Sequence, residues 1–177
     1  MIAIKIIIVL IAIISVALVV AMFTKKKYNI YREITINKPA SEVFNYLKYL
    51  KNHDHFNKWA MMDPNKKKSF IGIDGTVGFI YQYDGNKEAG AGELEITALR
   101  ENELINIETR FQRPFKNVGQ TPYTLQSISA NATKVKWGMS SELAYPLNML
   151  LWFLDVDKTF GKDIQTSLVN LKSNLEK

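Results

Sequence analysis

The sequence predicts an α+β protein: a curved antiparallel sheet of about seven strands around a long C-terminal helix, preceded by one transmembrane helix. Three observations carry this prediction. An apolar run occupies residues 2–23, broken only by Lys5 and Ser15. A series of short, β-rich segments then follows, separated by turn dipeptides. The final stretch, Leu147 to Leu175, has apolar residues at three- and four-residue spacings.

Length and composition set the frame. The 177 residues suit one domain plus an appendage. With 47% hydrophobic and 23% charged residues, the chain has the balance of a globular domain rather than a disordered one. It contains no cysteine, which excludes a disulfide framework and any thiolate zinc site. The net charge is +6, but Lys5, Lys25, Lys26 and Lys27 supply four of the positive charges. Without these four, 19 basic residues face 17 acidic ones. The charge therefore reports a membrane flank, and no nucleic-acid partner is expected. The remaining basic run, Asn65 to Lys68, reads as a solvated loop.

The N-terminal run predicts a membrane span. From Ile6 to Phe23 there are 18 uncharged residues. Extended back to Ile2, a helix would reach about 33 Å, which matches a hydrocarbon core of about 30 Å. Lys5 lies near one end, where its stem can snorkel. A cleaved signal peptide is the competing reading, with Ser15–Ala17 as a small-residue exit. The apolar run continues past that point to Phe23, which favours an uncleaved anchor. Three lysines on the C-terminal flank, against Lys5 and the amino terminus, place the large domain in the cytoplasm. The expected division is residues 1–27 as anchor and 28–177 as one domain.

Within that domain, Tyr28–Asn37 alternates and reads as a strand, with Ile30, Arg32, Ile34 and Ile36 on one face. Pro39 suits a first helical turn, with Ser41 or Asn37 near the cap. Val43, Phe44, Leu47 and Leu50 then form one apolar stripe. His53–Pro64 reads as a second short helix. Six strand-like segments follow, between turn signals at Asp74-Gly75, Asp84-Gly85, Glu101-Asn102, Asn117–Gly119 and Asn131. Such short spacing demands antiparallel hairpins, because parallel pairs need long crossovers. The chain ends in one helix over Leu147–Leu175, striped by Leu147, Leu151, Leu154, Phe160, Ile164, Leu168, Leu171 and Leu175.

The stretch YQYDGNKEAGAGELEI, Tyr81–Ile96, has the glycine content of a phosphate-binding loop. A Walker loop, however, needs Gly-Lys-Ser/Thr opening a helix. Here Gly92 leads into a strand pattern, and Asp84-Gly85 and Gly85-Asn86 are hairpin dipeptides. Gly90 and Gly92 fall on one strand face, where they let the sheet bend or another backbone approach.

The order of elements resembles the helix-grip fold of the START-like, or SRPBCC, superfamily, over nearly all of Tyr28–Lys177. Ile34–Leu47 resembles that family's opening strand and first helix, and His55–Ala60 its tryptophan-bearing second helix. Tyr81–Ile96 is similar to the hairpin of bacterial polyketide-cyclase-like members. The resemblance implies an apolar cavity between sheet and long helix, and members range from carriers to cyclases.

The expected function is therefore a membrane-anchored domain that holds a small apolar ligand, a lipid or polyketide-like compound. A cyclase or aldol-type enzyme and a ligandless partner-binding domain are the alternatives. Trp59, Phe79, Tyr81, Tyr83, Arg110, Trp137 and Met139 are the candidate lining residues. Tyr81 and Tyr83 share a strand face with Phe79 and Val77. Glu93 and Glu95 share a face, as do Glu108 and Arg110. His53 and His55 point apart at their spacing and read as a surface loop at the cavity rim. No catalytic set, metal or cofactor is expected.

Overall fold

A computed structural model describes residues 2–153 and 155–177; Leu154, counted in the apolar stripe, lies outside the described residues. Helix α1 spans Ile2–Met22. It is long and apolar enough to cross a membrane; its side chains stand exposed through Val16, whereas Ala17, Leu18 and Val20 are half-buried and Ala21 is buried. Strand β1 (Lys27–Ile36), helix α2 (Ala40–Leu47), a 3-10 turn (Leu50–His55) and helix α3 (Lys58–Met61) follow. Pro39 itself caps α2, since its carbonyl accepts from Glu42 and Val43 N–H, so neither Asn37 nor Ser41 is needed there. Asn57 caps α3 by accepting from the Trp59 N–H at 3.0 Å.

The sheet has eight strands, one more than the expected seven. They are β1, β2 (Lys67–Ile71), β3 (Ile80–Asp84), β4 (Ala91–Arg100), β5 (Leu104–Arg113), β6 (Asn117–Gln120), β7 (Tyr123–Ser129) and β8 (Ala132–Glu142). The order is β1-β8-β6-β5-β4-β3-β2, all antiparallel, with β7 also pairing β5 and β8. The extra strand arises at Asn117–Gly119, which reads as a turn from its residue types. Proline explains the break after it. Pro122 has no N–H for the ladder, and β6 and β7 are two halves of one path interrupted there. The turns at Gly75 and Asn102 do form, with positive φ of 84° and 60°.

The C-terminal segment is not one helix. A 3-10 turn (Leu147–Met149) and α4 (Leu150–Phe153) precede α5 (Val156–Leu175). The Asp155 carboxylate accepts from the Lys158 N–H at 2.9 Å and starts α5 afresh. Helix α5 lays Ile164, Leu168, Leu171 and Leu175 onto the inner sheet face, where they join Ile36, Val43, Phe44, Leu47, Ile107 and Val135 in the core. Polar clasps hold its position: Lys172 Nζ donates to Thr35 O at 2.7 Å, and Asn174 Nδ2 to His55 O at 2.9 Å. Arg32, on the inner face of edge strand β1, reaches around α5 and forks onto Asp157, with both N···O distances 3.0 Å.

Candidate functional site

Between the inner sheet face, α3 and the N-terminal part of α5 lies a cavity of about 420 Å³. Its position follows from the strand pleat. Inward residues of β3, β4, β5 and β8 (Tyr81, Tyr83, Leu94, Thr109, Phe111, Trp137 and Met139) form one wall. Trp59 of α3 and Val156 and Phe160 of α5 form another. The rings interlock: Trp59 meets Trp137 edge-on at 5.8 Å and Phe160 at 6.5 Å, and Tyr123 stacks on Trp137 at 4.9 Å.

Tyr83 owes its place to Gly92. A Cβ at that glycine would meet Arg110 O at 2.6 Å and the Tyr83 hydroxyl at 2.9 Å. The β4–β5 register also shifts between Ala91 and Gly92. Gly90, at φ 69° just before β4, likewise leaves no room for a Cβ, which would meet Arg113 O at 2.6 Å, so both glycines serve close backbone approach. The hairpin before β4 closes on itself rather than on a phosphate: Gly85 N–H donates to Gly90 O, and the Asn86 side chain accepts from Glu88 and Ala89 N–H.

Of the seven expected lining residues, Trp59, Tyr81, Tyr83, Trp137 and Met139 come together around this space. Phe79 and Arg110 do not. Phe79 packs in the core, stacked on Phe70 at 6.2 Å. The expected company of Val77 also fails, because Gly78 at φ 87° reverses the chain and leaves Val77 exposed. Arg110 alternates with the lining residues Thr109 and Phe111 and so occupies the outer face. There it pairs with Glu93, Glu95 and Glu108 at 2.6, 2.7 and 2.7 Å. Hydrogen bonds from Gln82, then Arg110, hold the Glu93 carboxyl below its usual range.

Two polar features of the cavity are not legible in the sequence. His53 is buried rather than a rim residue: its Nε2 lies 3.2 Å from Leu47 O, and its ring packs on Phe56 and Tyr123. Burial pushes its pKa down to about 4. Lys66, read as part of a solvated run, is also buried and lies 2.8 Å from Asp54 Oδ1. Lys68 and the Tyr81 hydroxyl also bond Asp54, at 2.7 and 2.8 Å. Burial raises the Asp54 carboxyl, but the two lysines and Tyr81 outweigh it and hold the group below its usual range. Burial, then Asp54, pushes the Tyr81 hydroxyl well up. Among the described residues, His53 Nδ1, Tyr123 Oη and Trp137 Nε1 find no hydrogen-bond partner; their residues line the cavity, but these atoms are sealed from it by packing.

Comparison with solved structures resolves the architecture. Norcoclaurine synthase from Thalictrum flavum, solved with dopamine and hydroxybenzaldehyde, superposes with a TM-score of 0.62 at 10% identity, over 88% of this chain and 90% of that one. This chain has the helix-grip fold. Two further helix-grip matches are protein CV1439 from Chromobacterium violaceum (TM-score 0.59, 14% identity, 84% and 97% covered) and Aha1 from Colwellia psychrerythraea, solved as a dimer (0.58, 18%, 84% and 96%). No protein-family model and no curated protein matches the sequence.

Proposed function

We propose that the protein is a single-span membrane protein whose residues 1–27 form an anchor and whose residues 28–177 bind a small apolar molecule, a lipid or polyketide-like compound. The supporting observation is the cavity: about 420 Å³, walled by aromatic and aliphatic side chains, within the size range of small-molecule sites. Binding would be driven by burial of apolar surface. Anchoring through α1 would raise the domain's effective concentration near membrane-borne ligands. The lysine flank at 25–27 favours a cytoplasmic domain.

A cyclase or aldol-type reaction would need an acid or base that titrates near neutrality. The Asp54–Lys66–Tyr81 cluster is the observation that raises this reading. Its carboxyl is lowered and its phenol raised, both away from neutrality, and His53 lies at about 4. These directions favour a structural role for the cluster.

The test is native mass spectrometry of the full chain in non-ionic detergent, before and after solvent extraction, beside Leu94→Trp, which fills the cavity. A co-purified apolar mass lost on extraction and absent from the variant supports the reading. Equal occupancy in both proteins, or none together with no uptake of fluorescent fatty-acid or sterol probes, overturns it.

A further inference from the structure

The end of the sheet that carries α1 is also the end at which the exposed residues of the cavity lining, Glu88 and Arg113–Phe115, lie. Register shows this. Lys27 faces Glu142 across β1 and β8, Phe111 faces Asn117 across β5 and β6, and Ala91 faces Arg113 across β4 and β5. The start of β1, the end of β8 and the β5–β6 connection therefore lie together. Pro114 and Phe115 from that connection, with Leu143, Leu150 and Leu151 from the segment after β8, line the cavity at this end.

The same segment is stitched to α1. Asn148 is fully buried, and its Nδ2 donates to Ala21 O at 2.6 Å and to Thr24 Oγ1 at 2.7 Å. Leu143 N–H donates to Lys26 O at 2.8 Å. The first bond joins those from Thr24 N–H and Oγ1 on Ala21 O, in the last turn of α1, and the others hold the chain just beyond it. They also fix the height of the segment. A 21-residue helix spans about 32 Å, so its last turn lies at the edge of the hydrocarbon. Trp152 and Phe153 follow Asn148 by four and five residues, a rise of about 6–8 Å if helical.

The side chains at that height are not those of a face meeting water. Trp152 is 60% exposed, Phe153 79% and Phe115 44%. Tyr145 and Leu147 are exposed beside them. Tryptophan and tyrosine favour the membrane interface. Lys25, Lys26, Lys116 and Lys158 stand exposed around the same end, each attracted to anionic headgroups by about 1 kcal/mol. The nearby Asp155 is engaged in capping α5, and Asp157 is paired to Arg32.

We propose that the mouth of the cavity is seated in an anionic phospholipid surface, with Tyr145–Phe153 and Phe115 as its lipid-contacting rim and Asn148 holding that rim in register with the span. This rests on α1 being an uncleaved anchor. Ligand then passes between bilayer and cavity without crossing bulk water.

The chain has no cysteine, so single-cysteine variants report one site each. The full chain carrying Val9→Cys, Phe115→Cys, Phe153→Cys or Gln126→Cys is labelled with an environment-sensitive fluorophore and reconstituted into phosphatidylcholine vesicles containing phosphatidylglycerol. Near-ultraviolet circular dichroism confirms that each variant is folded. Nitroxides placed deep in the acyl chains should quench position 9. Nitroxides near the headgroups should quench positions 115 and 153 several-fold more than position 126, which lies on β7 toward the opposite end of the sheet. Adding Asn148→Ala should reduce quenching at 153 and leave position 9 unchanged.

Quenching at 9 with positions 115 and 153 no different from 126 overturns the rim while keeping the anchor. Absence of quenching at 9 removes the anchor, and the proposal with it. Unchanged quenching at 153 in the Asn148→Ala background overturns the role of Asn148.

Discussion

His53 is held in a wall that resists its charging, and the consequence can be worked through. An unfolded histidine takes up a proton below about pH 6.5. The folded ring stays neutral to about pH 4, chiefly because burial removes the charged form from water, against smaller opposing contributions from the Leu47 carbonyl, Asp74 and Asp54. Between those values the unfolded chain binds more protons than the folded one, so stability falls as the pH falls. The contribution is fully present above about pH 6.5 and is lost on the way to about pH 4. At 1.36 kcal/mol per unit, the loss reaches about 3 kcal/mol at the lower end. Asp54 and Glu93, whose folded carboxyls are lowered, lose their contributions below the ordinary carboxylate range and so act at lower pH.

The assay is urea unfolding of the full chain in non-ionic micelles at several pH values from about 7 to 4.5, followed by near-ultraviolet circular dichroism. His53→Gln keeps a side-chain N–H for Leu47 O but cannot charge. Its stability should be nearly flat over this window, while the parent loses about 1 kcal/mol per pH unit at the centre. His55→Gln, at the exposed histidine, should keep the parent slope. A parent curve as flat as that of His53→Gln would refute the reasoning, as would a variant that retains the full slope.

Three further outcomes are expected. Asp54→Asn should cost about 3–5 kcal/mol by leaving the buried Lys66 ammonium without its carboxylate, a fall in Tm on the order of 10 °C. Adding Lys66→Met should restore most of that loss, and a melting point that stays low in the double variant would remove the pair from the account. Gly92→Ala should cost about 1–3 kcal/mol, since its new methyl would meet the Arg110 backbone carbonyl, with the loss read as a lower urea midpoint. Gly161→Ala presents the opposite case: the atoms nearest the new methyl would be those of the Arg32 guanidinium, the far end of a side chain that can swing away. The lost pair is exposed and contributes little, and alanine suits a helix interior better than glycine, so stability should stay within about 0.5 kcal/mol.

The sequence alone determined the class, the order of the elements and much of the core. Period-two and period-3.6 patterns are local, and they are the same in the isolated chain as in the folded one. Val43, Phe44 and Leu47 bury as their spacing requires, and Tyr81, Tyr83, Trp137 and Met139 meet around one space because strand alternation carries inward residues to one side. A local signal was also present in Asp155, a capping residue inside an apolar stripe, where the long helix divides.

Only the tertiary structure decided which polar groups are buried. Lys66 reads as a solvated lysine until the 3-10 turn brings Asp54 against it to compensate its charge. His53 becomes interior when β7 and β8 bring Tyr123 and Trp137 against the 3-10 turn. Which face of β5 carries Arg110 is set by alternation, but that this face is the outer one, where Glu93, Glu95 and Glu108 meet it, appears only once the sheet is assembled. Burial of a charge depends on partners far away in the chain, whereas periodicity depends only on neighbours. For the same reason the bond from Asn148 to the end of α1, which joins residues 127 positions apart, has no counterpart in any local pattern.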